Sequence, residues 1–368
     1  MSYFIRQTHP LLFLALCLFA FLPFGKSQKY SNEFLSIGVG AGAHAQGLAV
    51  TARAHDVTAG YWNPAGLTAL IGEEKLQLSA MHAEWFAGIG KFDYLGISLP
   101  MSQAERRIGL SLIRFGIDGI PNTLSLYEAD GTVNYDNIVE FSAADYAIIG
   151  SYAQFLNIGE NKLSIGGNIK VIPRVIGTFA RSWGFGIDLG LQYKAGAWQF
   201  GFTGRDITNT FNSWKITFTE AEKQVLLATG NELPPLSSLE LTRPSFQLGV
   251  ARQITFSEQL SLSAEMDAFI TTDGQRNTLI SGKPFSLDPA LGIELTYHAF
   301  LFLRAGLNRF QREFKADGTE FLSMRPSIGV GLQLGSFLID YAYTDFGNSQ
   351  NRYAHIVSLR MDMKPRKQ

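Results

Sequence analysis

The chain has 368 residues, a formal net charge of −1, and 17% charged residues, against roughly 25% in ordinary soluble domains. So even a balance removes any electrostatic case for a nucleic-acid partner. With 37 glycines and 12% aromatic residues, the composition suits thin strands and tight turns better than a helical enzyme, and the length allows two soluble domains or one large barrel.

The first 27 residues read as a secretory signal peptide. Arg6 and His9 precede an apolar run from Leu11 to Phe24, and Gly25-Lys26-Ser27 places small residues three and one positions before a cut ahead of Gln28. That run is short for a bilayer span, and no later segment has eighteen consecutive apolar residues. Cys17, the only cysteine, lies inside the run, and Leu16 stands before it where a lipid-attachment site would have a small residue. The mature chain is therefore expected to carry no thiol, disulfide or cysteine-ligated metal. Export without a stapling disulfide fits an outer-membrane barrel, whose closed ladder supplies the stability.

Residues 28–74 form the next unit, a segment expected inside the barrel or against its rim. Ser36 to Ala43 is rich in glycine and alanine, and Thr51 to Leu70 suits short helical turns around Asp56 and Trp62. From residue 75 to the C-terminus, about fourteen segments alternate apolar with glycine, serine or charged residues. Residues 184–194 show the pattern: Phe185, Ile187, Leu189, Leu191 and Tyr193 share one parity, and Gly184, Gly186, Asp188, Gly190, Gln192 and Lys194 the other. A strand has period two, so the apolar side chains share a face. In a soluble sandwich that face would enter a core; in a transmembrane barrel it meets lipid.

The strands are expected at 75–85, 91–100, 106–116, 144–156, 161–173, 183–195, 197–205, 244–254, 258–271, 287–298, 300–310, 324–335, 336–346 and 352–363. Their lengths suit tilted strands crossing a bilayer, which need about 9–11 residues. Gaps alternate short and long, and the long ones, 117–143, 206–243, 272–286 and 311–323, all fall on one side. Outer-membrane barrels keep short turns in the periplasm and long loops outside. Aromatic residues near strand ends, such as Trp85, Tyr193, Trp198, Tyr297 and Phe300, suit interfacial girdles. The fold class is thus all-β: a transmembrane antiparallel barrel over 75–368.

Catalytic chemistry finds no foothold. Gly38-Val39-Gly40-Ala41-Gly42-Ala43 has the spacing of a dinucleotide fingerprint but lacks the βαβ unit it requires. The histidines at 9, 44, 55, 82, 298 and 355 have no zinc-like spacing, and no serine sits in a nucleophile elbow. No catalytic, cofactor-binding or metal residue is expected, and no cofactor. The polar parity carries Lys170, Asp188, Glu265, Asp267, Glu294, Arg304, Arg325 and Arg360, both signs together. That mixture points to a filled, charge-neutralised interior, with an open selective pore as the alternative.

Tyr61-Trp62-Asn63-Pro64-Ala65-Gly66-Leu67 resembles the Asn-Pro-Ala-Gly segment of FadL-like outer-membrane proteins. Together with Ser31 to Ala41 and Asp56 to Gly60, with Ile120-Pro121-Asn122-Thr123, and with Asp340-Tyr341-Ala342-Tyr343-Thr344, it resembles the PorV/PorQ family of Bacteroidota. The resemblance implies a fourteen-stranded barrel and a role beside the type IX secretion translocon, holding the C-terminal signal domain of exported cargo. Its rival is a FadL-like channel for passive uptake of hydrophobic compounds. Trp62, Asn63, Pro64, Ala65, Gly66 and Leu67 would then form a rigid turn or a partner contact. Ile117, Ile120, Leu124, Leu226, Leu227 and Leu233, apolar residues in the long gaps, would be external-loop contacts. The expected partners are outer-membrane lipid, translocon subunits and cargo domains, and no nucleic acid.

Overall fold

The computed structural model describes residues 31–72, 75–85, 88–101, 105–128, 132–159, 161–228, 233, 235–315, 317–345 and 353–363. The expected signal peptide lies outside them. The alternating segments become β1 (Leu76–Trp85), β2 (Gly90–Pro100), β3 (Arg106–Asn122), β4 (Val139–Ile158), β5 (Asn161–Ile176), β6 (Ala180–Ala195), β7 (Trp198–Arg205), β8 (Thr210–Ile216), β9 (Ser237–Thr242), β10 (Ser245–Thr255), β11 (Leu260–Thr271), β12 (Ile280–Ser281), β13 (Ser286–Tyr297), β14 (Leu301–Phe314), β15 (Glu320–Leu334), β16 (Phe337–Asp345) and β17 (Tyr353–Met363). Each wall strand pairs antiparallel with its neighbour, and β1 closes the ring on β17 from Leu76↔Met363 to Ala83↔Ile356. Closure removes the exposed edges that an open sheet would present.

Fourteen strands cross the wall, because β8 and β9 continue β7 and β10 past two breaks. In β6, Phe185, Ile187, Leu189 and Leu191 are exposed while Gly184, Gly186, Asp188 and Gly190 are buried. The apolar parity therefore points outward, as a lipid-facing barrel requires. On the outside of β1, β2 and β3 the belt ends at a polar ladder. His82 Nδ1 lies 2.7 Å from Asp93 Oδ1, and Arg114 Nη1 donates to Asp93 Oδ2 at 3.3 Å. Both barrel termini lie at the end with the short turns, which the turn rule places in the periplasm.

Three expected boundaries are corrected. The 117–143 gap is shorter, because β3 runs through Asn122 and β4 starts at Val139; their pairing survives a one-residue bulge between Ile117 and Ile120. Ile117 and Ile120 are thus strand residues, half-buried, rather than loop contacts. The 206–243 gap contains the β8–β9 hairpin, capped by helix α3 (Glu220–Ala228), since Trp214 and Leu239 prolong the alternation. The 311–323 gap shrinks to a turn because β14 continues to Phe314 and β15 starts at Glu320. (Helices α1, Ala41–Ala45, and α2, Ala59–Trp62, lie in the N-terminal segment.)

Candidate functional site

Residues 31–72 fill the lumen. The segment begins at the long-loop end, where Asn32 Nδ2 donates to Thr242 Oγ1 at 2.9 Å and Glu33 pairs with Arg276 at 2.9 Å. It reaches the short-turn end where Arg107 Nη1 donates to the Leu70 carbonyl at 2.9 Å. A backbone with so little regular structure leaves many polar groups to satisfy. The wall satisfies them. Ala41 N donates to Ser358 Oγ and Gly47 N to Ser327 Oγ, both at 3.1 Å. Val50 N and Thr51 N donate to Asp267 Oδ2 at 3.0 Å, and Ala52 N to Glu265 Oε1 at 2.6 Å. Asn168 Nδ2 donates to the Gly60 carbonyl at 2.9 Å, and Thr203 Oγ1 to the Trp62 carbonyl at 3.1 Å.

The inward charges are paired, four cations against six carboxylates. Lys170 Nζ lies 2.7 Å from Asp188 and 2.6 Å from Asp206. Arg53 reaches Glu265 at 3.0 Å and Glu294 at 3.4 Å, Arg304 reaches Glu294 and Asp340 at 2.6 and 2.5 Å, and Arg360 reaches Asp56 at 2.8 Å. Such pairs are held only when both partners stay buried and hydrogen-bonded. The inward polar parity thus forms a filled interior through this part of the barrel.

The Asn-Pro-Ala-Gly turn anchors the plug to β5 and β6. Asn63 is fully buried; its Nδ2 donates to the Thr51 carbonyl at 2.9 Å and to the Leu191 carbonyl at 3.0 Å, and its Oδ1 accepts from Ala65 N at 3.2 Å. Pro64 opens a 3-10 turn, Pro64–Leu70, in which Ala65 and Leu67 are completely buried. Gly66 sits against the Ala54 carbonyl, where a Cβ would collide. The wall has its own glycines opposite: Gly190 beside Asn63 and Pro64, Gly166 beside Pro64. Inward glycines also meet plug backbone at Gly201 and Gly249 (Thr51, Ala52), and at Gly292 and Gly306 (Gln46). Sequence reading treats them only as members of the polar parity. Their signal is the lack of any side chain at inward positions of six wall strands, which marks close approach of the plug.

Above this contact ring a cavity of about 310 Å³ remains between plug and wall. Leu48, Tyr61 and Trp62 line it from the plug, and Phe269, Pro289 and Asn308 from the wall. Arg205 stacks over Tyr61 at 4.5 Å and donates to the Tyr61 carbonyl at 3.1 Å, so its charge is held at one edge. A smaller cavity of about 120 Å³ adjoins it, sharing Tyr61, Arg205 and Arg276. Beside the larger cavity one seam of the wall loses its backbone ladder. The β13–β14 ladder stops at Leu291↔Leu307, although both strands run on. Pro289 has no N–H to give, Arg309 turns to φ 50, and Asp288 Oδ1 accepts from Phe310 N at 3.1 Å.

Of the motif residues, Trp62 faces this cavity, while Asn63 to Leu67 do not line it. Leu124 lies half-buried between β3 and β4, Leu226 half-buried and Leu227 exposed on α3, and Leu233 exposed beyond it; none lines the cavity. Among the described residues no group of three or more His, Cys, Asp or Glu is placed to hold a metal ion.

Fold and site together define a class: a closed fourteen-strand transmembrane barrel, plugged by its own N-terminal segment, with a lumenal cavity on the long-loop side. No protein-family model and no curated protein matches the chain. Solved structures do. The toluene transporter TodX of Pseudomonas putida aligns at 15% identity and TM-score 0.54, over 89% of this chain and 98% of that one. The CymD monoaromatic hydrocarbon channel aligns at 14% and 0.52, over 89% and 97%. The toluene transporter TbuX of Ralstonia pickettii aligns at 13% and 0.50, over 89% and 98%. At such identities the likeness is one of architecture.

Proposed function

We propose that the chain is a non-enzymatic outer-membrane channel that passes small hydrophobic molecules. The observation that carries this reading is the cavity of about 310 Å³ between plug and wall, whose apolar side is formed by Leu48, Trp62, Phe269 and Pro289 and whose polar side includes Arg205, Arg276, Asp288 and Arg309. It exceeds the roughly 150 Å³ that holds one benzene in an engineered apolar cavity. The interrupted β13–β14 ladder beside it offers a way into the membrane without passage through the filled lower lumen. The fold it shares with the toluene transporters TodX and TbuX and the monoaromatic hydrocarbon channel CymD supports the same reading. Uptake of labelled toluene by cells with and without the gene tests it. Phe269→Asp, which puts a charge into the cavity wall, should lower uptake at least about tenfold while the barrel still folds. Uptake unchanged on deletion would end the proposal.

A second reading, cargo handling beside the type IX translocon, draws on the resemblance of residues 61–67. It also draws on exposed apolar residues near the β8–β9 hairpin, Leu227, Leu233, Leu236 and Leu239. Affinity capture of tagged protein from outer membranes discriminates: recovery of a translocon subunit or a cargo signal domain favours it.

A further inference from the structure

The lipid-facing wall has a hollow of its own. It measures about 690 Å³ and crosses β10, β11, β13, β14 and β15. The register explains its shape. One row of outward residues runs Val250, Met266, Leu291, Leu307, Pro326, and the next row towards the short turns runs Arg252, Ala264, Ile293, Ala305, Ile328. In the second row two strands present only a methyl group, Ala264 and Ala305, where the first row has Met266 and Leu307. The floor drops between longer neighbours. Four inter-strand steps at about 4.8 Å give the row a length of roughly 19 Å, room for an acyl chain lying across the strands.

One end of that row carries charge. Arg252 pairs in register with Trp198, the first residue of β7 after the two-residue turn at 196–197. This places both at the short-turn interface, where an indole ring is at home. The Arg252 guanidinium lies over the Trp198 ring at 5.1 Å. Among the described residues no carboxylate lies within 4.0 Å of it. An outward arginine, held on an interfacial tryptophan with no counter-charge among the described residues, complements a phosphate at headgroup depth. An apolar hollow leading away from it complements the tail of the same molecule.

We propose that this face is a specific glycerophospholipid site, with the phosphate on Arg252 and one acyl chain across Ala264 and Ala305. It lies on the opposite face of the wall from the lumenal cavity and does not depend on what that cavity passes. The site would seat one lipid of the short-turn leaflet against the strands whose ladder is interrupted higher up.

Native mass spectrometry of the detergent-solubilised protein, titrated with dioleoyl phosphatidylglycerol, tests this. One adduct per barrel should resist collisional activation, and dioleoylglycerol, which lacks the phosphate, should not give it. Arg252→Gln should weaken the adduct about fivefold. Ala264→Leu with Ala305→Leu, which fills the hollow, should abolish it. Equal retention of both lipids, or of the phospholipid by either variant, overturns the proposal. A heat-dependent shift in gel mobility checks that each variant is folded. If the filled variant does not fold, the phosphate comparison on the unaltered protein and Arg252→Gln still decide.

Discussion

Asn63→Ala separates a structural turn from a ligand contact. The side chain is completely buried and makes three hydrogen bonds: to the Thr51 carbonyl at 2.9 Å, to the Leu191 carbonyl at 3.0 Å, and from Ala65 N at 3.2 Å. The Thr51 carbonyl keeps a partner, since Gln192 Nε2 donates to it at 3.1 Å. The loss is therefore close to the net value of three hydrogen bonds, about 1 kcal/mol each, or about 3 kcal/mol in total. Every 1.4 kcal/mol is a factor of ten, so plug-released molecules should become about a hundredfold more common. Arg53, in the plug with its side chain only 11% exposed, is a trypsin site that release would uncover. When reclosing outpaces cleavage, the cutting rate follows the released population. Tryptic cleavage at Arg53 should thus speed up about a hundredfold, while the barrel keeps its heat-dependent gel shift. Cleavage within threefold of the unaltered protein, with toluene uptake changed, would refute the reasoning and make Asn63 a ligand contact.

Gly190→Ala should release the plug by a different route, because its Cβ would collide with Asn63 and Pro64; about 1–3 kcal/mol of overpacking is expected. Combined with Asn63→Ala its effect should be smaller than the sum, since the nearer of the two clash partners is gone while Pro64 remains, as urea midpoints in detergent would show. Lys170→Met leaves Asp188 and Asp206 buried without their cation and should cost about 3–5 kcal/mol. The triple change Lys170→Met, Asp188→Asn, Asp206→Asn should recover most of that in the same melts. At the long-loop end, burial alone would raise the Asp273 carboxyl, but hydrogen bonds from the Arg276 guanidinium and its charge hold it below the usual carboxylate range. A depressed carboxylate stabilises above its unfolded value of about 3.9, and that stability disappears as pH falls through the lower folded value. A spin label at Thr278→Cys should therefore stay immobile at pH 6 and gain mobility only below about pH 4. Asp273→Asn should make it mobile at both.

Much of the barrel was legible because strand period, outward apolarity and bilayer thickness are all local quantities. Phe185 to Leu191 announce their face without reference to any other strand. The ends of strands were harder. Above the membrane both faces meet water, so alternation weakens and Ile117 or Trp214 no longer reports which side is wet. The breaks were invisible for a related reason: Asp206 leaves the ladder at φ 53 to reach Lys170, thirty-six residues away in sequence.

The plug was the least legible part, and the wall shows why. Its path is written as backbone donors to carboxylates far along the chain: Val50 N to Asp267, Ala52 N to Glu265, Ala41 N to Ser358. A backbone N–H carries no residue identity, so nothing in residues 41–52 declares its partners. What the sequence does record is the complement, on the wall: inward glycines at 166, 190, 201, 249, 292 and 306 where the plug passes, and inward carboxylates or serines where its N–H groups end. It follows that a glycine of the wall can be enlarged without loss on its outer face but not where its inner face meets the plug. Gly150, exposed on the outside of β4 with the Ile169 carbonyl at 4.0 Å as the nearest neighbour to an added Cβ, should accept alanine within about 0.5 kcal/mol, whereas the inward Gly201 and Gly306 should not. Paired melts of Gly150→Ala and Gly306→Ala put that rule to the test, and equal midpoints would mean that the plug does not lie where the glycines point.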